Sequence, residues 1–179
     1  MKDKKVLGIV GSPRKGANTD TLVEQVLKGA SEKGASTEKL ALAEMNIKPC
    51  TACDACQNTK KCVIEDDFAS TLEKMKESSV WVLGTPVYWW GPTAQMKAFI
   101  DRWYGVDRSV FRGKGIVLVV PSGGGSYYTR QTVEILESII PYLNMRHIAT
   151  LQTGTSGRGS AKTDASLMNK ALRIGMEAV

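Results

Sequence analysis

The chain has one histidine in 179 residues and no cysteine outside a thirteen-residue stretch. The single histidine, His147, falls on a predicted strand and reads as a structural or surface residue. No nucleophile–base pair is recognisable, which suits a chemistry carried by cofactors. Long apolar runs are missing too. The longest is Ile116 to Val120, and a membrane-spanning helix needs about 20 residues. No signal-peptide core follows Met1-Lys2-Asp3-Lys4-Lys5, which runs straight into an apolar strand; this predicts a cytoplasmic chain with reduced thiols. Acidic residues are outnumbered, giving a net charge of +6, so the surface attracts anions. The basic residues form no single run, however, and no helix-turn-helix, zinc-finger or RNA-binding signature is present. The excess therefore reads as a solvated surface and not as a nucleic-acid patch.

With 42% apolar residues, the chain has enough to bury a core without disulfides. Its length predicts one domain over residues 1–179, with an insertion at about 45–65. Apolar periodicity alternates between strand and helix. Strands are expected at Lys5–Val10, Thr37–Leu42, Val80–Leu83, Gly115–Val120 and Arg146–Leu151. Helices are expected over 19–33, from Asp66 or Asp67 onward, from Pro92 onward, over 127–140 and over 160–177. Five strands alternating with helices predict an α/β fold: a doubly wound, five-stranded parallel sheet of order 2-1-3-4-5. In such a sheet ligands bind outside the carboxyl ends of the strands, where the order reverses. The loops after strands one, three and four are the places to look.

The first loop is Gly11-Ser12-Pro13-Arg14-Lys15-Gly16-Ala17-Asn18-Thr19. No acid occurs between Val10 and Asp20. It offers hydroxyls, backbone N–H groups and two cations at a helix N-terminus, which is phosphate-binding chemistry. It is neither GxxxxGK[ST] nor GxGxxG. The second loop is Gly84-Thr85-Pro86-Val87-Tyr88-Trp89-Trp90-Gly91-Pro92. Its prolines stiffen it, and its aromatics suit a planar ligand or, alternatively, core or subunit contacts. The third, Pro121-Ser122-Gly123-Gly124-Gly125-Ser126-Tyr127, allows close backbone approach.

Gly11-Ser12-Pro13-Arg14 with Asn18-Thr19, then Pro86-Val87-Tyr88-Trp89 and Gln95-Met96-Lys97-Ala98-Phe99-Ile100-Asp101-Arg102, resemble the NADPH-dependent FMN reductase group of flavodoxin-like proteins. The resemblance covers residues 5 to about 125. It implies that Ser12, Arg14, Asn18 and Thr19 hold the FMN phosphate. Thr85, Pro86, Val87, Tyr88 and Trp89 would line the isoalloxazine, with Ser122, Gly123 and Gly124 on the other side. Ala17 stands where members often carry Ser, leaving Thr19 to compensate.

The cysteines follow C-x2-C-x2-C-x5-C: Cys50, Cys53, Cys56 and Cys62. Three closely spaced thiolates and a fourth nearby can wrap a [4Fe–4S] cube. Zinc and redox-active thiols compete with that reading. The spacing is not that of a ferredoxin run, nor the two separated pairs usual for zinc. Ahead of Val63-Ile64-Glu65-Asp66-Asp67, the arrangement resembles the iron–sulfur flavoproteins within the same group. That resemblance implies FMN, a [4Fe–4S] cluster, electron transfer between them and a small-molecule or protein donor or acceptor, and a homodimer or homotetramer. Tyr88, Trp89, Trp90, Trp103 and Tyr104 also suit a subunit boundary, although the spacing of Trp103 fits core. Asp101 and Arg102 read as an ion pair or an oligomer contact, and Asp66 and Asp67 as helix caps. A dedicated electron carrier, or a non-redox nucleotide-binding protein with a zinc or thiol knuckle, are the other readings.

Overall fold

The computed structural model describes residues 4–179; Met1 to Asp3, part of the leading segment read above, lie outside it. Strands β1 (Lys5–Val10), β2 (Ser36–Ala41), β3 (Val80–Gly84), β4 (Gly115–Ser122) and β5 (Arg146–Gly154) form one sheet in the order β2-β1-β3-β4-β5. Every pairing is parallel. Parallel strands require crossovers, and the helices that supply them cover both faces. They are α1 (Asn18–Glu32), α3 (Phe68–Glu77), α4 (Ala94–Asp101), α5 (Ser126–Tyr142) and α6 (Ala165–Glu177); a short α2 (Ala55–Thr59) lies within the cysteine loop.

Alternation along the strands divides the core in two. Leu7, Ile9, Trp81, Leu83, Ile116 and Leu118 pack with side chains of α3, α4 and α5 on one face. Val6, Val80, Val82, Val117 and Val119 pack with α1 and α6 on the other. Each such side chain contributes roughly 1.5–3 kcal/mol on burial, so the central strands are the rigid frame on which the loops sit. Among the described residues no helix is long and apolar enough to cross a membrane.

The fold class and strand order are those expected, and the boundaries differ where capping intervenes. Pro92 does not open α4; Thr93 does, its hydroxyl accepting the Met96 N–H at 3.3 Å. Asp164 accepts the Leu167 N–H at 2.9 Å and starts α6, so the expected helix over 160–177 splits into a 3-10 turn and a helix. Strand β5 runs three residues beyond the expected Leu151, to Gly154, and delivers another loop to the carboxyl edge. Helix α2 falls in a segment with no apolar periodicity to announce it.

Candidate functional site

The carboxyl edge gathers the loops after β1, β3, β4 and β5. Gly11 N–H donates to Gly84 O at 2.7 Å, and Thr93 Oγ1 donates to Gly11 O at 2.7 Å, which fixes the start of the first loop. Gly84 lets the helix come close: a Cβ there would stand 2.4 Å from Val23 Cγ2 and 3.1 Å from Thr19 Cγ2. Helix α1 follows Ala17, and no side chain caps its N-terminus. Its first N–H groups, which lack intrahelical partners, are left for a ligand. The one acid of the first turn, Asp20, is turned to other work. One oxygen accepts Gly16 N–H at 2.7 Å and the other accepts Lys39 Nζ at 2.6 Å. Lys15 is held by Glu44 at 3.0 Å, so the cation facing the cleft from this loop is Arg14.

Two adjoining cavities, of about 330 and 400 Å³, share Val87, Ser122 and Gly123 in their walls. The first holds Ser12, Arg14, Asn18 and Thr19 on one side and Pro86 and Tyr88 on another. The second is bounded by Trp89, Trp90, Gly124 and Tyr128. Such dimensions are those of a small-molecule or cofactor site. The structure thus brings together every expected cofactor residue except Thr85. That residue is fully buried beneath the cleft, its hydroxyl donating to Pro86 O at 3.0 Å and accepting Thr93 N–H at 3.1 Å. It shapes the turn and does not reach the wall. Asn18 also has prior commitments. Its amide donates to Gly157 O at 2.8 Å and its carbonyl accepts Ala161 N–H at 3.0 Å, pinning the loop after β5.

That loop, Thr155 to Arg158, forms a wall of the first cavity and escaped the sequence reading. Its signal was present: Gly, Ser and Thr around one arginine after a strand, the composition of the first loop again. Trp90 and Tyr128 were also missed as wall residues; their rings stand 6.5 Å apart.

The turn between Tyr88 and Gly91 is strained. Each residue donates its N–H to the other's carbonyl, at 2.9 and 3.1 Å, and both residues between have positive φ, 49° for Trp89 and 62° for Trp90. Two such angles make a type I′ turn, normally Asn-Gly. Bulky side chains there cost of order 1–3 kcal/mol each, and strain of this kind clusters at ligand sites. Trp89 is 92% exposed, so packing of its ring does not explain its conformation.

The cysteine loop lies apart from the cleft. Cys50, Cys53, Cys56 and Cys62 line one tight cavity with Arg102, Tyr104 and Gly105, and none of these residues lines the two cavities at the strand ends. No cysteine is in a disulfide; Cys53 is exposed and the others are half-buried. Ala52 N–H donates to Cys50 Sγ at 3.4 Å. Ala52, Asp54 and Lys60 all have positive φ, so the loop turns sharply between its cysteines. Among the described residues no three His, Cys, Asp or Glu side chains are gathered closely enough to hold one metal ion.

A larger cavity of about 740 Å³ lies beside the cysteine loop, reaching Tyr142 and Leu143 at the end of α5. Its wall carries three cations, Lys60, Arg108 and Arg112, so positive charge alone does not single out the strand-end cleft; what distinguishes that cleft is the uncapped N-terminus of α1 opening beside Arg14.

The profile described as NADPH-dependent FMN reductase matches residues 4–157.

This chain belongs to the NADPH-dependent FMN reductase family.

Within that family it is 45% identical over 98 residues to an iron–sulfur flavoprotein of Methanocaldococcus jannaschii, covering 55% of this chain and 51% of the relative. It is 32% identical over 182 residues to an iron–sulfur flavoprotein of Archaeoglobus fulgidus, covering 93% of this chain and 90% of the other. The chain spans about half of the Methanocaldococcus protein and 64% of a Methanosarcina thermophila iron–sulfur flavoprotein. The fold of an NAD(P)H:quinone oxidoreductase from Methanothermobacter marburgensis superposes with a TM-score of 0.75 at 18% identity, over 97% of this chain and 96% of that one.

Proposed function

We propose that this chain is an FMN-dependent oxidoreductase that moves electrons between FMN, a [4Fe–4S] cluster and an external donor or acceptor such as NAD(P)H, a quinone or a ferredoxin. The observation that carries the flavin half is the uncapped N-terminus of α1, opening into the strand-end cleft beside Arg14. Backbone N–H groups of α1, the Ser12 and Thr19 hydroxyls and the Arg14 guanidinium would hold the phosphate. Asn18 would act by fixing the loop after β5, and Arg158 from that loop would add a second cation. Pro86 to Trp89 would face the ring from one side and Ser122 to Gly124 from the other. FMN, when bound, supplies the electron-accepting centre; the protein supplies position, charge and exclusion of water.

Cys50, Cys53, Cys56 and Cys62 would hold the cluster. Four thiols around one cavity match its donor set, and the Ala52 N–H on Cys50 sulfur is the kind of bond that steadies a ligating thiolate. The room between the thiols, about 20 Å³, is smaller than a four-iron cube, so the exposed Cys53 arm would turn outward on binding. Reduced thiols suit the cytoplasm, where we place the chain.

The two sites share no wall residue, and the exposed Trp89 and Trp90 flank the cleft. Both features support a homodimer or homotetramer in which the tryptophans meet a second copy. Anaerobic purification followed by a spectrum and FMN, iron and sulfide assays tests the reading. One FMN with four irons and four sulfides per chain is expected. A colourless protein, or stoichiometric zinc without iron, would contradict it. Turnover with a nicotinamide or quinone then separates an enzyme from a carrier.

A further inference from the structure

Among the described residues Arg102 is the one buried cation, and the flavin cleft does not use it. It follows α4, and its side chain is 1% exposed; the Asp66 side chain beside it is 0% exposed. Nη1 donates to Asp66 Oδ2 at 2.6 Å and to Lys48 O at 3.0 Å, and Nη2 donates to Ile64 O at 3.4 Å. Asp66 in turn accepts the Lys48 N–H at 2.9 Å and the Phe68 N–H at 3.1 Å. The guanidinium lies over the Phe68 ring, 4.6 Å from its centroid.

These contacts are placed with respect to the cysteines. Lys48 stands two residues before Cys50, and Ile64 two residues after Cys62. One planar fork therefore closes the neck of the loop, gripping the chain as it enters and as it leaves. A lysine has no such fork and could not span both carbonyls and the carboxylate. At the other side of the neck, Gly105 approaches Cys56 closely, since a Cβ there would stand 3.2 Å from its sulfur. The 3-10 turn Arg102–Gly105 is thus pressed against both the neck and the cavity of the loop.

One donor of the fork is left over. Arg102 Nε is buried and has no hydrogen-bond partner. A buried N–H left unpaired is costly, more so on a charged group, so this one calls for an acceptor. Arg102 and Cys62 line the same cavity. A thiolate carrying metal is an acceptor of the right charge in the right cavity.

We propose that Arg102 is a positioning residue for the cluster, closing the neck of the cysteine loop and turning its free Nε–H toward the Cys62 sulfur, where it favours the reduced form. This rests on the reading that the four cysteines hold a [4Fe–4S] cluster. The sign follows from charge: reduction adds one electron to the cluster, and a buried cation beside a ligand sulfur stabilises the added negative charge. Asp66, the counter-charge, works in the opposite sense.

The test is a redox titration of the cluster, followed by its electron paramagnetic resonance signal, with iron, sulfide and FMN counted in the same samples. Arg102→Gln should shift the cluster's oxidised-to-reduced ratio at least tenfold toward oxidised, 59 mV for a one-electron couple. Asp66→Asn should shift it toward reduced. Arg102→Lys, which keeps the charge but not the fork, should recover part of the potential with lower cluster occupancy. If Arg102→Gln does not fold, Arg102→Lys set against Asp66→Asn keeps the test, because loss of the Nε–H bond to sulfur should still shift the cluster toward oxidised, by less. FMN content should stay at one per chain in all. Opposite signs from the two partners are not what simple loosening of the loop gives. Equal potentials at full occupancy, or shifts of one sign in both variants, would overturn the inference alone. A wild type that takes up no iron would overturn the proposed function and this inference with it.

Discussion

The cleft at the strand ends and the cysteine loop hold their chemistry in contrasting ways. The cleft is built from the ends of rigid elements: four loops anchored on buried parallel strands, with backbone N–H groups, the buried Ser12 and Thr19 and the exposed Arg14 as its working parts. Losing one of those side chains leaves the frame intact. The cysteine loop spans 45–65 with only five helical residues of its own; its neck is held by the buried Arg102–Asp66 pair and by two hydrogen bonds between Asn46 and Asp67, and Tyr104 donates to Asp54 within it at 2.9 Å. The first site takes its order from the core. The second takes it from a few contacts at its neck and flank and, once filled, from what it binds.

The contrast is broken most forcefully at Asp66. Removing one member of a buried pair leaves an uncompensated charge, at about 3–5 kcal/mol. Asp66→Ala should lower unfolding stability by that order in denaturant titrations of the FMN-loaded chain, and should expose the loop to protease before the sheet. The effect has a pH signature. Burial raises the Asp66 pKa, but the Arg102 hydrogen bond, the Lys48 and Phe68 N–H groups and the Arg102 charge together outweigh it and hold the carboxyl below its ordinary range. A depressed carboxyl contributes stability that is fully present above the unfolded pKa and is lost as pH falls through the folded one. Wild type and Asp66→Asn should therefore differ near neutrality and converge in acid. A gap that persists below the carboxylate range would remove the charge from the explanation.

A smaller effect is expected at Arg14. Its loss removes a charge-assisted bond to phosphate, on the order of 1.5–3 kcal/mol or about ten- to a hundredfold in FMN affinity. Because Arg14 is exposed on the rim, the melting temperature of the FMN-free protein should not move. Equal FMN affinity in Arg14→Ala, read by fluorescence titration, would take it out of the site. Smallest is the strained turn. Trp89→Asn places a residue that tolerates positive φ at the exposed corner and should stabilise the FMN-free chain by about 1 kcal/mol or less. It should also weaken self-association, read by sedimentation, if the tryptophans meet across a subunit boundary.

The same contrast explains what the sequence made legible. The sheet and its order follow from runs such as Lys5–Val10 and Gly115–Val120, whose burial on both faces is written into their composition. Most of the cleft was legible because topology carries its loops to one edge and their residue types announce an anion. The hydrogen bonds of Thr85 and Asn18 were not legible, since whether a hydroxyl or amide also binds its own backbone depends on partners such as Thr93 and Ala161, which no local pattern reveals. Arg102 shows the limit most clearly. The sequence reads Asp101 and Arg102 as an ion pair or an oligomer contact and Asp66 as a helix cap, whereas Asp101 pairs with Lys97 and Arg102 with Asp66, which accepts the Phe68 N–H as a cap does and also meets Arg102 across 36 residues. Trp103, at helical spacing with Phe99, proved to be core, packed edge-on at 5.5 Å. The positive-φ pair at Trp89 and Trp90 contradicts residue preference outright and could be found only in the structure.

The most direct measurement of the account is a paired assay of FMN and iron in two variants prepared anaerobically side by side. Arg14→Ala should lose FMN on dilution while keeping four irons per chain, and Cys53→Ala should lose iron while keeping one FMN. If Cys53→Ala loses both cofactors, or iron leaves with the flavin in Arg14→Ala, the two sites are not separately built and the account fails.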